Sequence, residues 1–372
     1  MCLIVKMKGG GVHFNPVHDY SKDYLTLSIL EDNTTLNIGA AIGEPDGPPA
    51  EAFAFNPITF EYSTDKENWI SVTSSSEGTS FGPFNAGTEV YLRGNNTTLS
   101  SKAYDKYYCC NCNFKNSTGK FNVKGNIMSL LDSTGFTTAT TLNVGGEFSS
   151  LFYDCKALLD ASKLILPATT LTEKCYSSMF YYCINLSSVP KSIGTVNTIM
   201  PTSACAYTFY GCRNLTAAPE LPASTLANYC YRSMFYNCTS LTTAPELPAT
   251  TLANYCYQSM FNGCTSLTAA PELPATTLTE RCYNYMFQDC TSLTAAPELP
   301  ATTLAENCYA YMFNECTSLN YIKCLATNIS ASLALDHWVE IVAASGTFVK
   351  KAGVSWPSGV SGIPSGWTVQ EV

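Results

Sequence analysis

The sequence predicts an α/β repeat solenoid preceded by a small, all-β, sandwich-like domain. Three observations predict it. A unit of about 26 residues is copied in line through the second half of the chain, each copy carries one apolar stripe at helical spacing, and the residues before 105 show alternating apolar segments without any repeat.

Three adjacent copies read TSLTTAPELPATTLANYCYQSMFNGC (239–264), TSLTAAPELPATTLTERCYNYMFQDC (265–290) and TSLTAAPELPATTLAENCYAYMFNEC (291–316). The copy before them is RNLTAAPELPASTLANYCYRSMFYNC (213–238), and two looser copies, 156–183 and 184–212, are 28 and 29 residues long. A lone copy cannot fold. Burying a Leu, a Met and a Phe contributes roughly 1.5–3 kcal/mol each, while ordering the backbone costs about 1–2 kcal/mol per residue. Stacking on neighbours has to supply the rest.

Within 252–264 the repeated apolar positions are Leu252, Cys256, Tyr257, Met260, Phe261 and Cys264, at offsets 0, 4, 5, 8, 9 and 12. This spacing predicts one face of a helix. Thr170 with Glu173, Thr277 with Glu280 and Thr303 with Glu306 have the spacing of a capping box at its start. Leu-Thr-Ala-Ala-Pro-Glu-Leu-Pro precedes the helix as a short extended segment, whose prolines forbid a long interior strand. One helix and one short strand per copy is the unit of a leucine-rich-repeat solenoid, predicted over 156–330.

Thirteen of the 18 cysteines fall into two periodic series. Cys155, Cys183, Cys212, Cys238, Cys264, Cys290 and Cys316 form the first, and Cys175, Cys205, Cys230, Cys256, Cys282 and Cys308 the second. Eight residues of helix separate two cysteines of one copy by roughly 12 Å, beyond the roughly 7 Å a disulfide allows. Pairing between copies cannot be complete in a series of seven. The columns are read as stacked, buried thiols acting as small hydrophobes.

At these residues the chain resembles the BspA-like leucine-rich-repeat proteins of anaerobic bacteria. The likeness rests on a Phe-x-x-Cys-x-x-Leu core, seen as Phe261-Asn262-Gly263-Cys264-Thr265-Ser266-Leu267 and again from Phe287 to Leu293, and it covers about 145–325. Phe121-Asn122-Val123-Lys124-Gly125-Asn126-Ile127-Met128-Ser129-Leu130 and the closing Gly362-Ile363-Pro364-Ser365-Gly366-Trp367-Thr368-Val369 resemble the flanks of such proteins from gut bacteria and their phages. The resemblance implies a surface or virion adhesin that binds a host or neighbouring-cell ligand.

Residues 1–104 are expected to form a β-sandwich-like attachment module. Tyr24 to Leu30, Ile58 to Tyr62, Trp69 to Val72 and Val90 to Gly94 alternate like half-buried strands, and Asp65-Lys66-Glu67-Asn68 suits a hairpin turn. The loops at 44–49 and 73–83 are rich in Gly, Pro and Ser. Residues 105–155 read as an amino-terminal cap with a first partial turn ending at Phe148 to Cys155. Residues 331–372 read as a carboxy-terminal cap: a closing helix over 331–344 stopped by Gly346, then Phe348, Val349, Trp356 and Trp367 over the last turn.

Composition narrows the function. Lys plus Arg number 20 against 29 acids, a net charge of −9, with no basic run, so nucleic acid and anionic lipid are not expected partners. No apolar stretch approaches the roughly 20 residues of a membrane span. The amino terminus, Met1-Cys2-Leu3-Ile4-Val5-Lys6, has an apolar run too short for a secretion signal, and Cys2 is weighed as the lipid acceptor of a trimmed lipoprotein. The expected location is a virion or the extracellular cell surface.

Three histidines, His13, His18 and His337, leave little for His-based catalysis. Asp336-His337 has no nucleophile motif beside it, and Cys109-Cys110-Asn111-Cys112 has no second cysteine cluster to complete a zinc site. No catalytic residue, metal site or cofactor is assigned. Glu220, Glu246, Glu272 and Glu298 recur every 26 residues as a column of solvated carboxylates or, alternatively, a seat for a cation such as calcium.

The informative positions vary on an otherwise constant scaffold. Tyr229, Tyr255, Arg281 and Asn307 occupy one column; Arg232, Gln258, Asn284 and Ala310 a second; Tyr236, Asn262, Gln288 and Asn314 a third. Aromatic and Arg side chains are enriched at interfaces. The candidate ligand-binding residues are Tyr229, Arg232, Tyr236, Tyr255, Gln258, Arg281, Asn284, Tyr285, Asn307 and Tyr311. The expected function is a non-enzymatic binding or adhesion protein, a phage virion appendage that recognises a bacterial surface protein or glycan and contacts other virion proteins through its amino-terminal module. The alternatives are a bacterial cell-surface adhesin and a purely structural decoration protein.

Overall fold

The computed structural model describes residues 18–42, 54–103 and 107–372. Cys2, His13 and the loop at 44–49 lie outside the described residues. The alternating segments near the amino terminus form β1 (Leu25–Ile29), β2 (Thr34–Ile42), β3 (Thr59–Ser63), β4 (Ile70–Thr73), β5 (Thr79–Phe84), β6 (Glu89–Arg93), β7 (Ser100–Ala103), β8 (Tyr107–Asn113) and β9 (Phe121–Asn126). With β10 (Leu158–Ile165) they make a six-stranded sheet of order β10-β9-β1-β6-β3-β4 and a four-stranded sheet of order β5-β2-β8-β7. Phe60 and Tyr62 of the first sheet meet Phe81 and Phe84 of the second, with ring centroids 4.9–6.2 Å apart. The β9–β10 pairing is parallel and joins this module to the first repeats, so one core runs from Leu25 to Trp367.

The repeats are not helix-and-strand units, and this corrects the α/β leucine-rich-repeat solenoid expected from the sequence. The only helical pieces among the described residues are 3-10 turns at Tyr20–Lys22 and Ile127–Leu130. No helix among them is long and apolar enough to cross a membrane. The segment 252–264 is instead a run of β-turns with an alternating hydrogen-bond rule. The amides of Gln258, Met260, Asn262 and Cys264 donate to the carbonyls three residues back, at Tyr255, Tyr257, Ser259 and Phe261. Those of Tyr255, Tyr257, Ser259, Phe261 and Gly263 donate across to Glu280, Cys282, Asn284, Met286 and Gln288 of the next repeat at 2.8–3.0 Å. Every backbone amide from Tyr255 to Cys264 finds a partner, half within the turn and half in the neighbour.

Such a path needs a left-handed residue at every fourth position. Tyr255, Ser259 and Gly263 have φ of 61°, 56° and 73°, and Arg281, Tyr285 and Asp289 repeat the rule one copy later. Asn237, Gly263 and Asp289 share one column, residue types that tolerate this region. The helical reading failed because offsets 0, 4, 8 and 12 fit a period of four as well as one of 3.6. A helix drifts only about 40° per four-residue step, so three steps stay close to one apolar stripe. The Thr-x-x-Glu pairs therefore cap no helix. Glu280 instead accepts the hydroxyl of Tyr255 at 2.9 Å.

The closing helix expected over 331–344 is likewise absent. Leu333, His337 and Ile341 have φ of 51°, 49° and 58°, and Tyr309, Tyr311, Phe313 and Glu315 donate to Ala334, Asp336, Trp338 and Glu340. The segment is one more turn of the same kind. Behind it, β13 (Tyr321–Lys323), β14 (Thr347–Lys350) and β15 (Thr368–Glu371) form a parallel sheet. The Pro-Glu-Leu-Pro segments run extended with isolated parallel bridges such as Ala217↔Thr243, and only Ile199–Met200 (β11) and Thr225–Leu226 (β12) pair as strands between them.

Side chains stack on the same pitch. Phe152, Phe180, Phe209, Phe235, Phe261, Phe287 and Phe313 lie 5.4–5.7 Å apart with planes within 10°. Phe114, at the end of β8, begins the column at 5.4 Å from Phe152, and Trp338 closes it. The module also caps the first turn, 146–155. Leu99 and Phe114 amides donate to Glu147 and Leu151, Ser100 Oγ to Ser149, and Asn113 Nδ2 to Ser150, Leu151 and Tyr153. Gly145 and Gly146 allow Tyr108 to lie against this turn, where a Cβ would fall 2.1–2.2 Å from the ring or its hydroxyl.

Both cysteine series are fully buried with no disulfide. Cys183, Cys212, Cys238, Cys264, Cys290 and Cys316 each place Sγ 2.9–3.1 Å from the carbonyl of a phenylalanine in the preceding repeat. The second series breaks register once. The Tyr176 amide bonds Ala204, as Tyr231 bonds Cys256, so Ala204 takes the thiol position and Cys205 the position of the tyrosine ring. The sequence reading had placed Cys205 in the thiol column.

Two predictions follow from this backbone. At Ser259, with φ 56°, Ser259→Gly should raise stability by up to about 1 kcal/mol by removing a Cβ from the left-handed region, whereas Ser259→Ala keeps the Cβ and should leave stability nearly unchanged. Urea denaturation measures both, and a helix would reverse the order. Burial pushes the Cys155, Cys256, Cys308 and Cys324 thiols up to about 12. An unfolded thiol ionises near about 8.5, so the stabilisation is complete below that pH and falls as pH rises from there towards 12. Each thiol contributes a slope of about 1.4 kcal/mol per pH unit. Together the thirteen buried thiols of the two sequence series should unfold the chain within roughly one to two units above that pH. Circular dichroism of an unchanged fold at pH 11 would contradict their burial.

Candidate binding face

The variable positions come together on the turn side of the stack, and their side chains form ladders with the pitch of the backbone. Tyr153, Tyr181, Tyr210 and Tyr236 stack at 4.5–4.7 Å. The same column continues as amides: Asn262 Nδ2 donates to Gln288 Oε1 at 2.8 Å, Gln288 Nε2 to Asn314 Oδ1 at 3.0 Å, and Asn314 Nδ2 to Glu340 Oε2 at 3.1 Å. In a second column Gln258 Nε2 donates to Asn284 Oδ1 at 2.9 Å and Asn284 Nδ2 to the Ala310 carbonyl at 2.9 Å. A third stacks Tyr285 on Tyr311 at 4.7 Å and Tyr311 on His337 at 5.3 Å, with Asp336 Oδ1 2.8 Å from the imidazole.

Tyr229 stacks on Tyr255 at 4.6 Å, and the Arg281 guanidinium lies 5.3 Å from the Tyr255 ring. Arg281 also donates to the Tyr255 hydroxyl and pairs with Glu280 at 3.5 Å. Burial, and the Glu280 carboxylate that the hydroxyl donates to, hold Tyr255 above the usual phenol range. Arg232 lies 5.5 Å from the Tyr207 ring and 5.8 Å from that of Tyr229. No ion pair or hydrogen bond is formed by its guanidinium among the described residues, and Nε is sealed from solvent without a partner.

Of the ten candidates, Tyr229, Arg232, Tyr236, Tyr255, Gln258, Arg281, Tyr285 and Tyr311 are half-buried at this face. Asn284 and Asn307 are only 4% and 7% exposed, and they act inside the stack. Sequence reasoning missed Tyr153, Tyr181, Tyr182, Tyr207 and Tyr210, which pack into one aromatic cluster. The signal was present: Tyr153, Tyr181, Tyr210 and Tyr236 each stand two residues before a cysteine of the first series. The looser 28- and 29-residue spacing hid the alignment.

Because the stacked rings cover each other's faces, this surface presents edges, hydroxyls, amides and guanidinium groups. No large hydrophobic side chain is exposed between Ile199 and Tyr321 among the described residues. The opposite, extended side differs. Pro219, Pro222, Pro245 and Pro248 with Glu220 and Glu246 line an open cleft of about 650 Å³, and a second of about 450 Å³ continues it to Pro271, Glu272 and Pro274. Lys323 pairs with Glu298 at 2.8 Å and Lys191 with Glu220 at 3.9 Å, so lysines close both ends of the carboxylate column. No group of three or more His, Cys, Asp or Glu that could hold a metal ion occurs among the described residues. Cys110 and Cys112, one side of β8, are buried in the core.

Removing a rung tests the amide ladder. Gln288→Ala breaks two hydrogen bonds and should cost about 1–2 kcal/mol in denaturant unfolding, while Gln288→Asn, one methylene shorter, should fall between. Equal stability of all three proteins would mean that solvent satisfies these amides. No family model, curated protein or solved structure matches the chain.

Proposed function

We propose that the chain is a non-enzymatic binding protein whose turn face holds a polar, extended ligand on a bacterial surface, a glycan in preference to a protein. The observation that carries this reading is the ladder face itself. Hydrogen-bonding groups repeat along it at the pitch of the stack, with ring spacings of 4.5–4.7 Å, and suit a linear polymer whose hydroxyl-bearing units recur regularly. A protein partner is the weaker fit, because interface cores are apolar and this face exposes no large aliphatic side chain between Ile199 and Tyr321. The Phe-x-x-Cys-x-x-Leu resemblance supports a surface or virion setting, with the phage appendage favoured over the bacterial adhesin. Contacts to other virion proteins are assigned to the amino-terminal module.

The test is binding of the labelled protein to a panel of gut bacterial cells, alongside a Tyr229→Ser, Tyr255→Ser, Arg281→Ser variant whose melting curve is checked first. Saturable binding to a few strains, reduced at least about tenfold in the variant and abolished by periodate treatment of the cells, is the expected result. Periodate-resistant binding would shift the ligand to protein. Loss of binding only in a Glu246→Gln, Glu272→Gln variant would move the site to the proline-lined clefts.

A further inference from the structure

We infer that Arg232 is the seat of an anion subsite, and that the polymer bound at the turn face carries carboxylate or phosphate groups read by this guanidinium. The inference rests on the glycan reading above and adds the charge of the ligand. Two arginines lie in the ladder columns, and they differ in how they are satisfied. Arg281 has a carboxylate, Glu280, at 3.5 Å and the Tyr255 hydroxyl as acceptor. Arg232 has two tyrosine rings within 6 Å and no acceptor among the described residues, in a chain with 29 acidic residues.

A cation held between aromatic rings keeps its planar fork oriented while its hydrogen-bond donors stay unused. Nε is already out of solvent and unpartnered. The two terminal Nη groups are neither sealed with it nor hydrogen-bonded among the described residues, so an arriving oxyanion meets their side of the fork, already oriented by the rings, in a charge-assisted bond. Carboxylate and phosphate share this chemistry; both accept a bidentate guanidinium.

Immobilised polygalacturonate, poly(glycerol phosphate) and a neutral β-glucan serve as probes for the wild type, Arg232→Gln and Arg232→Lys. The wild type should bind one acidic polymer about 10- to 100-fold tighter than the neutral one, and which of the two it prefers separates carboxylate from phosphate. Arg232→Gln should lose that preference, its loss of affinity for the acidic polymer exceeding its loss for the neutral one by the same factor. Arg232→Lys keeps the charge but not the fork and should lose several-fold more for the acidic polymer than for the neutral one, which decides the matter should the Gln variant fail to melt like the wild type. Equal wild-type affinity for acidic and neutral polymers, no binding to either acidic polymer, or a preference that survives both substitutions would overturn the assignment. If cell binding stays strain-selective and periodate-sensitive in Arg232→Gln, the anion subsite fails while the glycan reading stands. If the wild type binds no cells, both fail.

Discussion

The stack depends on one constraint: every second backbone amide of a turn must leave its own repeat and bond the next. In the run from Tyr255 to Gly263 this alternation is complete. It forces a left-handed residue at each fourth position, and it ties each turn to a neighbour at strand-like spacing. A repeat removed from the stack would leave half the amides of its turn run without their acceptors, so no repeat is stable alone. The ends need explicit covers for the same reason. Strands β7 and β8 supply donors to the first turn, and the loop around Val360 to Gly362 meets the last one through Val339 and Trp338.

The core follows from that pitch. Rings of the Phe152 to Phe313 column lie 5.4–5.7 Å apart with planes within 10°, stacked contacts of the kind favourable for aromatic pairs. Six thiols of the first series, from Cys183 to Cys316, hydrogen-bond a carbonyl of the preceding repeat, a place where a methyl group would satisfy nothing. Phe114 and Trp338 extend the column into the two ends of the molecule. The amino-terminal module is therefore packed into the same core as the repeats.

The same regularity shapes the surface. Positions free of packing duty recur in columns, so tyrosines meet tyrosines and amides meet amides, each satisfying its neighbour. Self-satisfaction leaves a pre-organised comb of polar groups with little rotamer freedom to lose on binding. Arg232 stands out against this background, a donor set without an acceptor among the described residues, where its counterpart Arg281 has both a carboxylate and a hydroxyl.

The amino-acid sequence by itself determined the period, the order of the repeats and the buried positions. Leu252, Cys256, Tyr257, Met260, Phe261 and Cys264 are all in the core, because hydrophobic identity repeated at fixed spacing reports burial whatever the backbone does. The strands at Leu25–Ile29, Thr59–Ser63, Ile70–Thr73 and Glu89–Arg93 were legible from alternation. Tertiary structure alone decided between helix and stacked turns. Over thirteen residues the two periods place the same side chains inward, and the choice is made by amide bonds to a neighbouring repeat that local spacing cannot report. It also decided that Cys205 occupies a ring position, that Asn284 and Asn307 are inside while Tyr255 and Arg281 reach the surface, and that tyrosines from repeats of unequal length join one ladder. Each of these is a matter of register between copies, fixed by hydrogen bonds more than 20 residues apart in the chain.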